Sequence, residues 1–187
     1  MLHVRLPLAA ALLLCTAACQ STTTPIQYAT DVLPSGGLSQ AQPADIAVPP
    51  VRNGTDAAVP VEGVRLACYT GLVDRLYSPV SLDYVDRTWT DASYGGAGAA
   101  DAVLDIEVTK WDTTHVSSRG IVIARAEARL LDARNPDGKP LWAVGVTRRL
   151  DLGGPNPSAG WESLAADLLA DQILTQLPER DPVRAHR

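Results

Sequence analysis

Leu104-Asp105-Ile106-Glu107-Val108-Thr109 alternates apolar and polar side chains without a break. Successive side chains of an extended strand point to opposite faces, so this stretch reads as a strand with one buried and one wet face. The same pattern recurs downstream. Val122, Ala124, Ala126, Ala128 and Leu130 alternate with Ile123, Arg125, Glu127, Arg129 and Leu131. Trp142, Val144 and Val146 alternate with Ala143, Gly145 and Thr147. Between these two runs stands Asn135-Pro136-Asp137-Gly138. Proline early and glycine late are what a tight turn needs, so the last two runs form a hairpin.

The polar face of these strands carries Asp105 and Glu107 on one strand and Arg125, Glu127 and Arg129 on the next. Opposite charges across a strand pair contribute roughly 0.2–1 kcal/mol each. Ile121, Ile123 and Leu131 make parts of the same face apolar. Ile121, Ile123, Arg125, Glu127 and Arg129 are therefore the candidate surface for a protein partner.

Outward from this centre, Asp45-Ile46-Ala47-Val48-Pro49-Pro50 reads as a short strand stopped by two prolines. A turn follows at Asn53-Gly54-Thr55-Asp56. A helix is expected from Ala58 to Tyr77, because Val61, Val64, Cys68, Leu72 and Leu76 are spaced by three or four. Pro79 to Asp86 reads as a second strand. Residues 87–100 are a glycine- and alanine-rich connection. Its Gly96-Ala97-Gly98 precedes a strand and lacks a third glycine, so it is no dinucleotide-binding loop. Ser158 is the expected cap of a last helix, Ala159 to Leu177, whose apolar stripe is Trp161, Ala165, Leu168, Leu169, Ile173 and Leu177. The expected fold is α+β: a mixed β-sheet with two helices packed on one face, in the order β-α-β-β-β-β-α, the other face being open.

The N-terminus carries an address. Arg5 precedes the apolar run Leu6 to Leu14, which is too short to span a bilayer and the right length for a signal peptide. Thr16-Ala17-Ala18-Cys19 follows. The pattern resembles the lipobox of bacterial lipoproteins, which implies cleavage before Cys19 and acylation of that cysteine. Gln20, where Asp would signal inner-membrane retention, implies the outer membrane with the domain on its periplasmic face. The expected organisation is a signal peptide at 1–18, an acylated cysteine and flexible linker at 19–44, a domain at 45–178 and a charged tail at 179–187. The linker is rich in Thr, Ser, Gln, Pro and Gly. Its Ile26, Tyr28, Val32 and Leu33 leave open a second reading, in which it packs along the domain edge.

Arg5 leaves with the signal, taking the formal charge from −5 to −6. An acidic chain without a basic, aromatic-laced patch is a poor nucleic-acid binder. Phe is absent, so Leu, Val, Ala, Ile and the four Trp must fill the core. Cys68 stands on the apolar helix stripe and reads as a buried structural thiol.

Two further stretches carry a resemblance. Ala100-Asp101-Ala102-Val103-Leu104-Asp105-Ile106-Glu107-Val108-Thr109, with Arg129-Leu130-Leu131-Asp132-Ala133-Arg134 and Leu141-Trp142, resembles a pattern shared by a group of periplasmic proteins. The group comprises a lipoprotein family known from a neisserial surface antigen, the curli secretion channel protein and the N-terminal domain of TolB. Ile46-Ala47-Val48-Pro49-Pro50-Val51-Arg52-Asn53 is similar to the opening strand of the first. The resemblance covers roughly residues 45–177 and implies an envelope adaptor or assembly factor that works through protein contacts. These motifs are structural, so they specify the fold more than the function.

Chemistry is sparse. No histidine pair has metal-ligand spacing, and no CxxC occurs. Neither a metal nor a cofactor is expected. His115, in Asp112-Thr113-Thr114-His115-Val116-Ser117-Ser118, reads as a loop histidine between strands, with no G-x-S-x-G elbow to serve. Two alternatives to a non-enzymatic role remain open: a cell-wall or glycan hydrolase using Asp105 and Glu107 as an acidic pair, and a small-ligand module with a pocket at the loops around Gly95 and Gly153.

Overall fold

A computed structural model of the chain describes residues 30–33, 36–90, 93–94 and 99–181. Its strands are β1 (Thr30–Leu33), β2 (Asp45–Ala47), β3 (Arg52–Asn53), β4 (Ser78–Pro79), β5 (Trp89–Thr90), β6 (Ser93–Tyr94), β7 (Ala102–Asp112), β8 (Ile121–Asp132) and β9 (Trp142–Asp151). Its helices are α1 (Gly36–Ala41), α2 (Val61–Asp74), α3 (Leu82–Thr88), α4 (Val116–Arg119) and α5 (Trp161–Leu174).

The three alternating runs are the centre, as their pattern predicts. β7, β8 and β9 form an antiparallel meander, with Asp105 opposite Arg129 and Ala126 opposite Val146. The main sheet runs β1-β9-β8-β7-β2-β4, and β3 also lies beside β7. β2, β3 and β4 join in parallel, so the sheet is mixed. Pro49 and Pro50 interrupt the edge beside β7, and the chain returns to it at Arg52. A proline has no amide hydrogen to give to a ladder. Asp101 pins the entrance to β2: its Oδ2 accepts from the Ala44 and Asp45 amides at 2.9 and 3.2 Å.

α2 and α5 share one face of this sheet, above Ile46, Leu104, Ile106, Ala126, Leu130 and Val144. They lie close to each other. A Cβ on Gly71 would stand 2.5 Å from Leu174 Cδ1, and one on Gly63 would stand 3.1 Å from Ala166 Cβ. Trp142 is 1% exposed, and its Nε1 donates to the Gln176 carbonyl at 3.1 Å, fixing the end of α5 to β9.

Three local expectations are corrected. Residues 79–86 are not a strand: only Ser78 and Pro79 pair, and Leu82–Thr88 is helical. The three-residue interval from Leu82 to Val85 outweighs the alternation there, because Val85 is needed against Ala47, Ala100, Val103 and Ala133. Asp83 in the first turn and Arg87 in the last also suit the helix dipole. α3 thereby covers one end of the face opposite α2 and α5. Second, α2 stops at Asp74, and Leu76 stands at φ 66° and 52% exposed, so it leaves the predicted stripe. Third, α5 is preceded by Gly160 at φ 90°, with no side-chain cap from Ser158. Beyond the stretch read from the sequence, the ladder shifts register between Val108 and Lys110. Strict alternation would put Trp111 on the wet face. The bulge turns it into the core, where it is 5% exposed.

Thr30–Leu33 takes the second of the two readings of the linker. It pairs antiparallel with β9, Thr30 opposite Val146 and Val32 opposite Val144.

Candidate interaction surface

The face that α2 and α5 leave uncovered is charged in rows, one row per pair of residues along the strands. The first holds Asp105 and Arg129; Arg52, beside Glu107 in the β3–β7 register, reaches back into it. Asp105 is buried, and both arginines close on it. Arg52 donates to both Asp105 oxygens, with the Nη2 contact at 3.2 Å, and Arg129 Nη2 donates to Oδ2 at 3.0 Å. Arg52 Nη2 also reaches Glu107 Oε2 at 3.1 Å. The hydrogen bond that Arg52 donates to Asp105 holds the guanidinium above its ordinary pKa against some desolvation. The cluster is a tie between β3, β7 and β8.

Glu107 and Glu127 stand directly opposite each other in the second row, with Gly145 and Asp31 beyond them on β9 and β1. The third sets Lys110 opposite Arg125, then Thr147. Arg125 and Glu127 make an ion pair at 3.2 Å, both about half exposed. The fourth holds Asp112, Ile123 and Arg149.

Among the predicted surface residues, Arg125, Glu127 and Arg129 are exposed and share this face. Ile121 and Ile123 are also on it by register, but they are 5% and 4% exposed. Their expected contribution as open apolar surface is corrected. They close the end of the sheet where the β7–β8 connection and the Gly153 loop cross, tied by the Leu152 amide to Gly120 and the Asn156 amide to Ser117 at 2.8 and 3.1 Å. Cys19 lies outside the described residues.

The acidic pair weighed for hydrolysis is occupied. Both Asp105 oxygens and one Glu107 oxygen accept from arginine. Among the described residues no cluster of three His, Cys, Asp or Glu could hold a metal ion. No helix there is long and apolar enough to cross a membrane. Cys68 is fully buried, and burial pushes its thiol pKa up to about 12. His115 lies in the β7–β8 connection, just ahead of α4.

Gly95 lies outside the described residues. A hollow of about 240 Å³ is found away from Gly153, between α1, Tyr77 and Pro178–Asp181. The Tyr77 hydroxyl on its wall donates to the Pro178 carbonyl at 2.8 Å. A residue that sequence reasoning missed is Arg65. It is 3% exposed, yet it donates from Nε to the Val48 carbonyl at 3.0 Å and from Nη2 to Asp86 Oδ1 at 2.5 Å, joining α2, the end of β2 and α3. Its position next to Val64 in the buried stripe is the one signal that a charge would be taken inside.

Among solved structures, a variant of PelC from Paraburkholderia phytofirmans, crystallised as a dodecamer, matches 82% of this chain and 100% of its own, with 20% identity and a TM-score of 0.56. The fold is similar to that of PelC. Lipoprotein GNA1162 from Neisseria meningitidis is 25% identical over 71% of this chain and 99% of its own, with a TM-score of 0.48. No protein-family model and no curated protein matches the sequence. The motif residues that carry the resemblance do structural work here. Asp101 pins β2, Asp132 Oδ1 accepts from the Arg134 amide at 2.9 Å in the turn, and Trp142 anchors α5.

Proposed function

We propose that this protein is a non-enzymatic envelope lipoprotein, an adaptor or assembly factor that acts through protein contacts. One observation carries the reading: the sheet face left open by α2 and α5 presents ordered charged rows, with Arg125, Glu127 and Arg129 at their centre. Charged rows of this kind favour orientation and selectivity of a docking partner over raw affinity. The lipobox-like Thr16-Ala17-Ala18-Cys19 supports an acyl anchor, and Gln20 supports the outer membrane. More than one acyl chain is needed for stable anchoring. The likeness to a protein that forms dodecamers supports an assembling role.

The test places a photo-reactive residue at position 125 of the full chain in cells, with Cys19→Ser as the mislocalised control. A discrete adduct with an envelope protein, lost in the control, is expected. If position 125 and a site on the helix layer, position 66, give the same diffuse background, the open face is not a contact surface and the reading fails.

A further inference from the structure

We infer that the open sheet face pairs with the same face of a second copy of this chain, about a two-fold axis running across the strands between the Glu107–Glu127 row and the Lys110–Arg125 row. The inference rests on the reading of that face as a contact surface, and it names the partner.

Within one copy Arg52 pairs with Glu107 and Arg125 with Glu127, yet the strand register still sets like charges side by side. Glu107 is directly opposite Glu127, and Lys110 is directly opposite Arg125. Like charges in directly opposed positions destabilise a sheet. Without the bulge after Val108, Thr109 would stand opposite Arg125; the bulge instead brings Lys110 to the open face there, one row beyond the two glutamates. The result is an acidic row and a basic row side by side, each spanning β7 and β8.

A two-fold axis lying in the interface, along the rows and midway between them, superposes each row on the other row of the second copy. It keeps each strand over its own counterpart. Glu127 then meets Arg125 of the second copy, and Glu107 meets its Lys110. By symmetry each contact occurs twice, so four opposite-charge contacts between copies add to the Arg52–Glu107 and Arg125–Glu127 pairs within each. On β9, Gly145 meets Thr147 of the second copy, which leaves the backbones free to approach. An isologous contact of this sort closes at two copies.

The available area fits a weak, transient pair. β7, β8 and β9 over eight residues each, with four of β1 and two of β3, make a face of about 480 Å² per copy at about 4.8 Å between strands and about 3.3 Å per residue. That gives about 950 Å² in all, below standard interfaces and in the range of transient contacts. The charged groups are half exposed, with Arg125 at 53% and Glu127 at 52%, so their desolvation is shallow and the pairing should be salt-sensitive.

The experiment uses the full chain in detergent and sedimentation velocity. Wild type is expected to dimerise, with at least tenfold weaker association in 0.5 M salt (about 4 Å screening length). Arg125→Glu alone and Glu127→Arg alone should each abolish the dimer, because each puts like charges across the two-fold. Mixing these two variants should restore it as a mixed dimer, since one copy then presents two acids to two bases. The double variant carrying both changes should dimerise by itself. Circular dichroism on each variant checks that the domain is folded, and restoration on mixing shows the same thing directly. A monomeric wild type, single variants that still dimerise, or a mixture that stays monomeric would each overturn the inference. Should the wild type be monomeric while position 125 still captures a different envelope protein, self-pairing falls and the contact-surface reading stands. Should neither occur, both fall.

Discussion

Arg65→Met removes a guanidinium from a place where water cannot replace it. The side chain is 4% exposed, and its Nε is the donor to the carbonyl of Val48, itself fully buried. Leaving a buried carbonyl without a donor costs about 1–3 kcal/mol. Asp86, half exposed, loses an ion pair but regains water, so that contact adds at most about 1 kcal/mol. Against this, methionine no longer carries a charge into a dry site and buries a comparable apolar length, which offsets about 1 kcal/mol. The net expectation is a loss of about 2 kcal/mol. For a chain of this size each kcal/mol shifts Tm by about 2–4 °C, so the midpoint should fall by about 4–8 °C. Urea titration followed by circular dichroism measures the loss directly, with Asp86→Asn as the companion variant expected to cost under about 1 kcal/mol. If Arg65→Met lies within about 0.5 kcal/mol of wild type, the Val48 carbonyl is not held by this donor, and the account of how α2 is fixed to β2 is wrong. If Asp86→Asn costs as much as Arg65→Met, the ion pair and not the backbone contact carries the effect.

Three further expectations follow from local geometry. Gly120 stands at φ 65° with the place of its missing Cβ 1.7 Å from the Gly154 carbonyl oxygen, so Gly120→Ala adds a backbone collision to the left-handed penalty of about 1–2 kcal/mol. Gly153→Ala, at φ 85° with open space around it, should cost the penalty alone; equal urea midpoints for the two variants would refute the crossing of these loops. With Cys15→Ser and Cys19→Ser making Cys68 the sole thiol, labelling at pH 8 should proceed only through unfolding, and immediate stoichiometric labelling of the native chain would contradict its burial. Because the folded thiol is held near about 12 while the unfolded one ionises around 9, stability should fall as pH rises above 9. Hydrogen bonds from the Thr114 hydroxyl and amide lower the Asp112 pKa, so its stabilisation is present above the ordinary carboxylate range and is lost as pH falls through the folded value. Melting Asp112→Asn beside wild type from pH 7 to pH 2 should show the gap closing in acid; a constant gap would refute that role.

The amino-acid sequence alone determined the central meander and its hairpin, because period-two alternation and turn chemistry are local properties that need no distant partner. It determined the two long helices for the same reason, their apolar intervals matching one helical face. Arg125, Glu127 and Arg129 were legible as exposed, since alternation assigns them to the face opposite Ala124, Ala126 and Ala128. What tertiary structure decided is whatever depends on a second segment arriving. Residues 82–88 became a helix because Ala47 and Val103 needed Val85 as cover. Trp111 went into the core because the ladder slips by one residue after Val108. Ile121 and Ile123 were withdrawn from the surface where two loops cross beside Gly120. Arg65 was taken inside because the Val48 carbonyl and Asp86 wait there, separated from it by 17 and 21 residues. The opposition of like charges in neighbouring rows is likewise a matter of register: the sequence names the charges, and the pairing of strands sets them face to face.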